Sequence, residues 1–368
     1  MAADQQTCQV EMFRGRACGR PLYDGEKCIC HSEDPDKDSD QFNQETVRIL
    51  RDAPGGCHDF TRFVFPAGWK PSRMDAKVAV YFDHARFLGE AAFGGFQFGQ
   101  GVSFEHAEFK QDANFANAKF MTIAGFSHSV FHGAANFSGS LFNAAANFPD
   151  ASFHSLEFLS ATFAGITDFS GASFAGRAQF SGATFEDEAV FRDVNFGGDT
   201  HFRGAKFLRN RQHSFSEDEF VQSADFNEAK FARLANFDDC RFEPQVQVLF
   251  HRTEFNGYAS FHKTKFLGGV NATGVTFSGD TDFSHSTLSG SVDLRDSRFG
   301  ASLRFGNVSF ADRVDLRRVV FDGECEFRGV QFFGDALFEG AHLTDKARVV
   351  FDAESVDMFR AEADFGLL

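Results

Sequence analysis

The sequence predicts an all-β fold in which the chain winds into a solenoid of short, stacked parallel strands. Two observations predict it. Of 53 Phe residues, 43 occupy a repeating slot whose spacing alternates between five and six, beginning Phe82, Phe87, Phe93, Phe98, Phe104, Phe109. The residue two positions earlier is small: in AEFKQDANFANAKF (107–120), Ala107, Ala113 and Ala118 precede Phe109, Phe115 and Phe120. A helix buries residues at three and four, and a long strand alternates without pause, so neither fits. Two inward residues followed by a corner do fit. Coils about 4.8 Å above and below then satisfy each strand's backbone groups.

The repeating slot continues to Val349, with 49 positions in all, six of them filled by Ala272, Leu288, Leu294, Leu316, Leu343 and Val349. Units such as A-N-F-A-N, A-K-F-M-T and A-Q-F-S-G resemble pentapeptide repeats, a family whose consensus is small-(Asp/Asn)-Leu/Phe-x-x. The resemblance covers roughly residues 77–349. It implies a right-handed quadrilateral parallel β-helix. Here an extra residue enters every second unit, so a four-sided coil takes 22 residues, and the segment makes about twelve coils. His84, His106 and His128 are 22 apart, as are His132 and His154, which supports that period. Three lapses mark edits. One is a deletion between Phe153 and Phe158; the others are eight-residue gaps at Phe207–Phe215 and Phe242–Phe250, read as bulging loops. The first loop, LRNRQHS (208–214), brings Arg209 and Arg211 close to Arg203 and Lys206.

The remaining parts differ in character. Residues 1–40 form a small module with Cys8, Cys18, Cys28 and His31 in a C-x9-C-x9-C-x2-H array. Zinc favours four such ligands in a tetrahedron, and closed Cys/His sets are usually structural. Cys30 competes with His31 for the fourth place. The module resembles zinc-knuckle-like segments that precede some pentapeptide-repeat arrays. Residues 41–76 hold a linker, a short helix in QETVRILRDA (44–53) and the start of an N-terminal cap that includes Trp69; EDPDKDSD (33–40) reads as a charged linker. Residues 350–368 have helix-compatible spacing and are expected to cap the last coil. Several family members dimerise through that end, which implies a homodimer.

Chemistry has few handholds. There is no phosphate-binding Gly-rich loop, no G-x-S-x-G and no H-E-x-x-H, so no enzyme activity is expected. The column of His84, His106 and His128, with Asp150 next in register, could hold a transition metal only if its rings converged. Side chains beside a corner point separately into water. The net charge of −16 argues against direct nucleic-acid binding. With no apolar run of membrane-spanning length and no basic-then-apolar start, a cytoplasmic location off the membrane is expected. The leading expectation is a rigid, non-enzymatic scaffold that binds a protein partner through its outer faces. The alternative, implied by the resemblance, is a DNA mimic that binds DNA gyrase or a related topoisomerase. Residues 201–349 hold 21 acidic and 19 basic side chains, too balanced for sustained negative potential.

Overall fold

The computed structural model describes residues 7–52, 56–71, 78–208 and 222–351. The chain divides into two compact units, Met1–Phe158 and Leu159–Leu368. Both are built from stacked parallel strands, most of two residues, with four strands to a turn. One such turn comprises Val102–Ser103, Glu108–Phe109, Ala113–Asn114 and Lys119–Phe120. On one side, five levels stack in the first unit and eight in the second. The expected period of 22 is explicit in the register: Phe87 lies beside Phe109, Phe109 beside Phe131, and Lys119 between Gln97 and Leu141.

The alternation of five and six has a backbone cause. Within the regular gaps of five the chain makes a tight turn: the amide of Ala118 donates to the carbonyl of Phe115 at 3.0 Å. The third residue of that turn, Asn117, has φ +57°. Positive φ at that place marks a type II turn. The equivalent residues Gly95, Gly139, Asp150 and Gly182 share it. The gaps of six turn the wider corner. Asn114 supplies a second local device, its Oδ1 accepting the amide of Ala116 at 3.0 Å. This side-chain turn accounts for Asn or Asp just before the central Phe.

Most inward positions pair a small residue with an aromatic one. Ala113, Phe115 and Ala118 are buried, and the Phe115 ring stacks between Phe93 at 5.1 Å and Phe137 at 4.6 Å. Adjacent ladders meet edge to face, as Phe115 meets Phe126 at 5.6 Å. Both geometries suit the ring quadrupole. Each buried Phe contributes roughly 1.5–3 kcal/mol before the entropy of ordering the chain is subtracted.

In the first unit the ladder starts earlier than Phe82. Phe60 stacks on Phe82 at 5.1 Å and Phe65 on Phe87 at 4.5 Å, so parallel pairing begins at Cys57–Asp59. The helix Ser39–Asp52 lies against this first coil. Asp38 caps it, its Oδ1 accepting the amides of Asp40 and Gln41, and so the helix begins five residues ahead of the predicted 44. Phe42, Thr46 and Ile49 form its buried face, with Phe42 set edge-on to Phe63 and Phe65.

The deletion near Phe153 is a register shift: Phe131 pairs 22 residues on with Phe153, but Ala134 pairs 21 on with Ser155. In the second unit Gln222 pairs with Val246, a step of 24, which absorbs the eight-residue gap after Phe242. The gap after Phe207 is larger than the sequence reading allows. Ala189 pairs with Ala224, a step of 35, and the Phe207 ring stacks directly on Phe242 at 4.6 Å. Thirteen residues beyond a normal turn are therefore inserted in the stretch that holds Phe215 and Phe220, two of the counted repeat positions. They lie outside the described residues, as do most of the 208–214 loop and residues 352–368, where the capping helix was expected.

Candidate functional site

The N-terminal module begins as a small antiparallel hairpin. Cys8 and Arg20 face each other across it, the Cys8 amide donating to the Arg20 carbonyl at 2.8 Å and the Gly19 amide to the Cys8 carbonyl at 2.9 Å. Gly19, at φ +66°, turns the chain just after Cys18. A second turn folds His31 back over Cys28, whose carbonyl accepts the amides of His31 and Ser32. These two turns bring four side chains together. The sulfurs of Cys8, Cys18 and Cys28 and a ring nitrogen of His31 all lie within 4.8 Å of one another. His31 Nδ1 is 3.4 Å from Cys8 Sγ and 3.2 Å from Cys28 Sγ, while Cys18 Sγ is 3.6 Å from Cys28 Sγ. Cys8, Cys28 and His31 are buried and Cys18 is half-buried. Cys30 is buried too, but the cluster of converging atoms contains His31 in its place.

Neighbouring side chains fix the cluster in place. Arg20 Nη1 donates to Cys18 Sγ at 3.1 Å, and its Nε lies 3.3 Å from Glu45 on the helix. With Nδ1 turned toward the thiols, His31 Nε2 donates to the Thr61 carbonyl at 3.3 Å, the outer contact that commonly orients a metal-bound imidazole. Packing of thiol against thiol acts on protonation. The Cys18 thiol is raised by its hydrogen bond with Cys28 and by burial. For Cys28 the bond with Cys18 acts downward, but the bond with Cys30, burial and neighbouring thiols prevail and push it up to about 12. Three soft sulfurs and one imidazole, three of the four residues buried, stand close enough together to bind one metal ion.

The module is fastened to the first coil by a residue the sequence reading misplaced. Lys37, within the supposed charged linker, is buried, and its ammonium donates to the carbonyls of Ile29, Ser32 and Val64. It also faces the Phe42 ring at 4.9 Å. Burial lowers its pKa to about 8. The Val64 amide donates in turn to the Cys30 carbonyl at 2.8 Å, which gives Cys30 a backbone role.

On the outer wall of the first unit, the predicted column is present. The His84 and His106 rings stack at 4.6 Å, and those of His106 and His128 at 4.7 Å. All three residues have positive φ and occupy the left-handed turn position. His, Asn, Asp and Gly are the residues that tolerate it best, so the column has a conformational origin. Parallel rings do not converge on one ion, and among the described residues only the Cys8 cluster brings ligand atoms together. His128 Nδ1 lies 3.8 Å from Asp150. His132 instead bonds Glu108 at 2.9 Å, alongside Arg86 and Lys110. Burial pushes the Glu108 carboxyl up, but Lys110, His132 and Arg86 hold it at about 2.

A profile of pentapeptide repeats in nine copies matches residues 158–206, 247–287 and 283–331. Among solved structures the chain is similar to a trypsin-treated form of QnrB1, a plasmid-mediated fluoroquinolone resistance protein. The two are 16% identical over 77% of this chain and 94% of that one, with a TM-score of 0.20. No curated protein matches the chain. Among the described residues no helix is long and apolar enough to cross a membrane. The profile match and the four-sided coils of Phe-centred repeats agree: the chain contains pentapeptide repeats.

Proposed function

We propose that this protein is a non-catalytic scaffold that binds a protein partner through its outer walls in the cytoplasm, with Cys8, Cys18, Cys28 and His31 holding a structural zinc ion. The observation that carries this reading is the filled interior. Ladder rings such as Phe104, Phe115 and Phe126 are fully buried, so recognition falls to the outward residues of each strand and corner. Those residues stand on a rigid backbone in fixed columns, and rigidity reduces the ordering cost of association. When bound, zinc would lock the N-terminal hairpin against the first coil; the ligands' own contribution is to bring the Cys28–His31 turn onto Thr61.

The test is affinity capture from the native host with the full chain as bait, beside variants with substituted outward columns and unchanged circular dichroism. A partner held by the parent and lost from one column variant supports the scaffold. Equal recovery by every variant contradicts it. DNA gyrase or a related topoisomerase is the alternative partner, through duplex-like negative charge. The acids of the second unit work against it, because Asp225, Asp293, Asp296 and Asp315 each bond an arginine. Inhibition of supercoiling at micromolar protein would favour the mimic.

A further inference from the structure

In-register charges on neighbouring coils of the second unit are usually opposed or compensated. Lys230 stands beside Glu254 with Nζ 3.5 Å from its carboxylate. Asp293 and Asp315 are adjacent like charges, but Arg295, Arg313 and Arg317 bond them. One column breaks this pattern. Lys206, Arg241 and Lys265 occupy the same outward place on three successive coils, and all three are exposed. Like charges directly opposite in a sheet are destabilising. Arg241 is answered by Glu243, just past the end of its strand, at 2.7 Å. Lys206 and Lys265 have no ion pair with any described carboxylate within 4.0 Å.

We propose that the Lys206–Arg241–Lys265 ladder is a docking surface for an acidic segment of a partner protein. This rests on the scaffold reading and names the chemistry of its partner. The three cations span two coil steps, about 10 Å, a length matched by a short peptide run carrying several carboxylates. The corner before them adds Arg203 and Lys263, and its acids are engaged: Asp239 with Arg203 at 3.7 Å, and Asp238 with the Ser260 hydroxyl and the His262 amide. Leu208 and Leu267 flank the ladder on the next outward column, half-buried, with Glu243 between them and turned to Arg241. A long nucleic acid is the poorer occupant, because a chain of net charge −16 repels it beyond this local patch.

The test uses the full chain and a fluorescein-labelled octapeptide of alternating Glu and Gly. The parent binds it, and binding weakens as salt rises. The triple variant K206E/R241E/K265E loses about tenfold or more in affinity. The double variant K206Q/K265Q also loses affinity but keeps or raises the melting temperature, because repulsion is relieved, and this separates lost docking from lost folding. No binding by the parent, or equal binding by the triple variant, overturns the proposal. So does tighter, ladder-dependent binding of a single-stranded oligonucleotide, which would assign the surface to phosphates. A host partner captured equally by parent and triple variant refutes the ladder and leaves the scaffold standing. Ladder-dependent peptide binding with no host partner captured refutes the scaffold alone.

Discussion

A single ring shows how this chain is held together. Phe115 touches rings above, below and beside it, and its replacement by Ala leaves a gap that rigid neighbouring coils cannot close. Phe115→Ala is expected to cost about 3–5 kcal/mol, read as faster hydrogen exchange in the coils holding Phe93 and Phe137. An effect under 1 kcal/mol would mean that the ladder is loosely packed. At the outer wall, His84 makes a separate prediction. Burial, then the neighbouring His106 and Arg62, lower its pKa below the ordinary histidine range. A base with a depressed folded-state pKa favours folding above the ordinary range, and that contribution is lost as pH falls toward its folded value. A ring-proton titration by NMR should place His84 below an unstructured histidine, and Arg62→Gln should bring it back upward. A midpoint at or above that of an unstructured histidine would contradict the stacked geometry.

At the level of elements, the left-handed corner sets the repeat. Asn117→Gly should leave stability nearly unchanged, whereas Asn117→Val should cost roughly 1–2 kcal/mol, because a β-branched residue is strained at positive φ. Comparison of urea midpoints decides this, and equal midpoints would refute the turn assignment. The sequence displayed this corner's period in its histidines but not the reason for them, since positive φ leaves no mark when Arg318, Lys263 and Glu228 also adopt it. Counting Phe residues did not foresee the step of 35 from Ala189 to Ala224, because nothing in a Phe tells a ladder rung from an inserted residue. Lys37 was hidden for a similar reason: among the charges of EDPDKDSD, only the fold reveals which ammonium meets three carbonyls. The Cys/His cluster was legible because Cys8, Cys18, Cys28, Cys30 and His31 crowd into 24 positions, while Arg20 and Thr61 carried no ligand signature. A strong chelator at neutral pH should remove one zinc per chain and expose Cys8 and Cys28 to thiol reagents; the Cys28→Ser variant should purify without zinc. Metal content unchanged by that substitution would exclude the proposed ligand set.

For the molecule as a whole, division of labour between inside and outside is the governing feature. Inward positions are nearly uniform, so stability is a sum of similar coil-to-coil steps. Outward positions vary freely, which lets one backbone carry a histidine stack in the first unit and a cationic ladder in the second. On the proposed scaffold reading, function depends on which columns a partner can read. The most direct test of this division is hydroxyl-radical footprinting of the native full chain, read at individual Phe residues by mass spectrometry. Phe333, 70% exposed, should be oxidised readily, while Phe104, Phe115, Phe126 and Phe226, fully buried in their ladders, should stay unmodified until the protein is unfolded. Oxidation of those four at rates close to that of Phe333 in the native state would contradict the account.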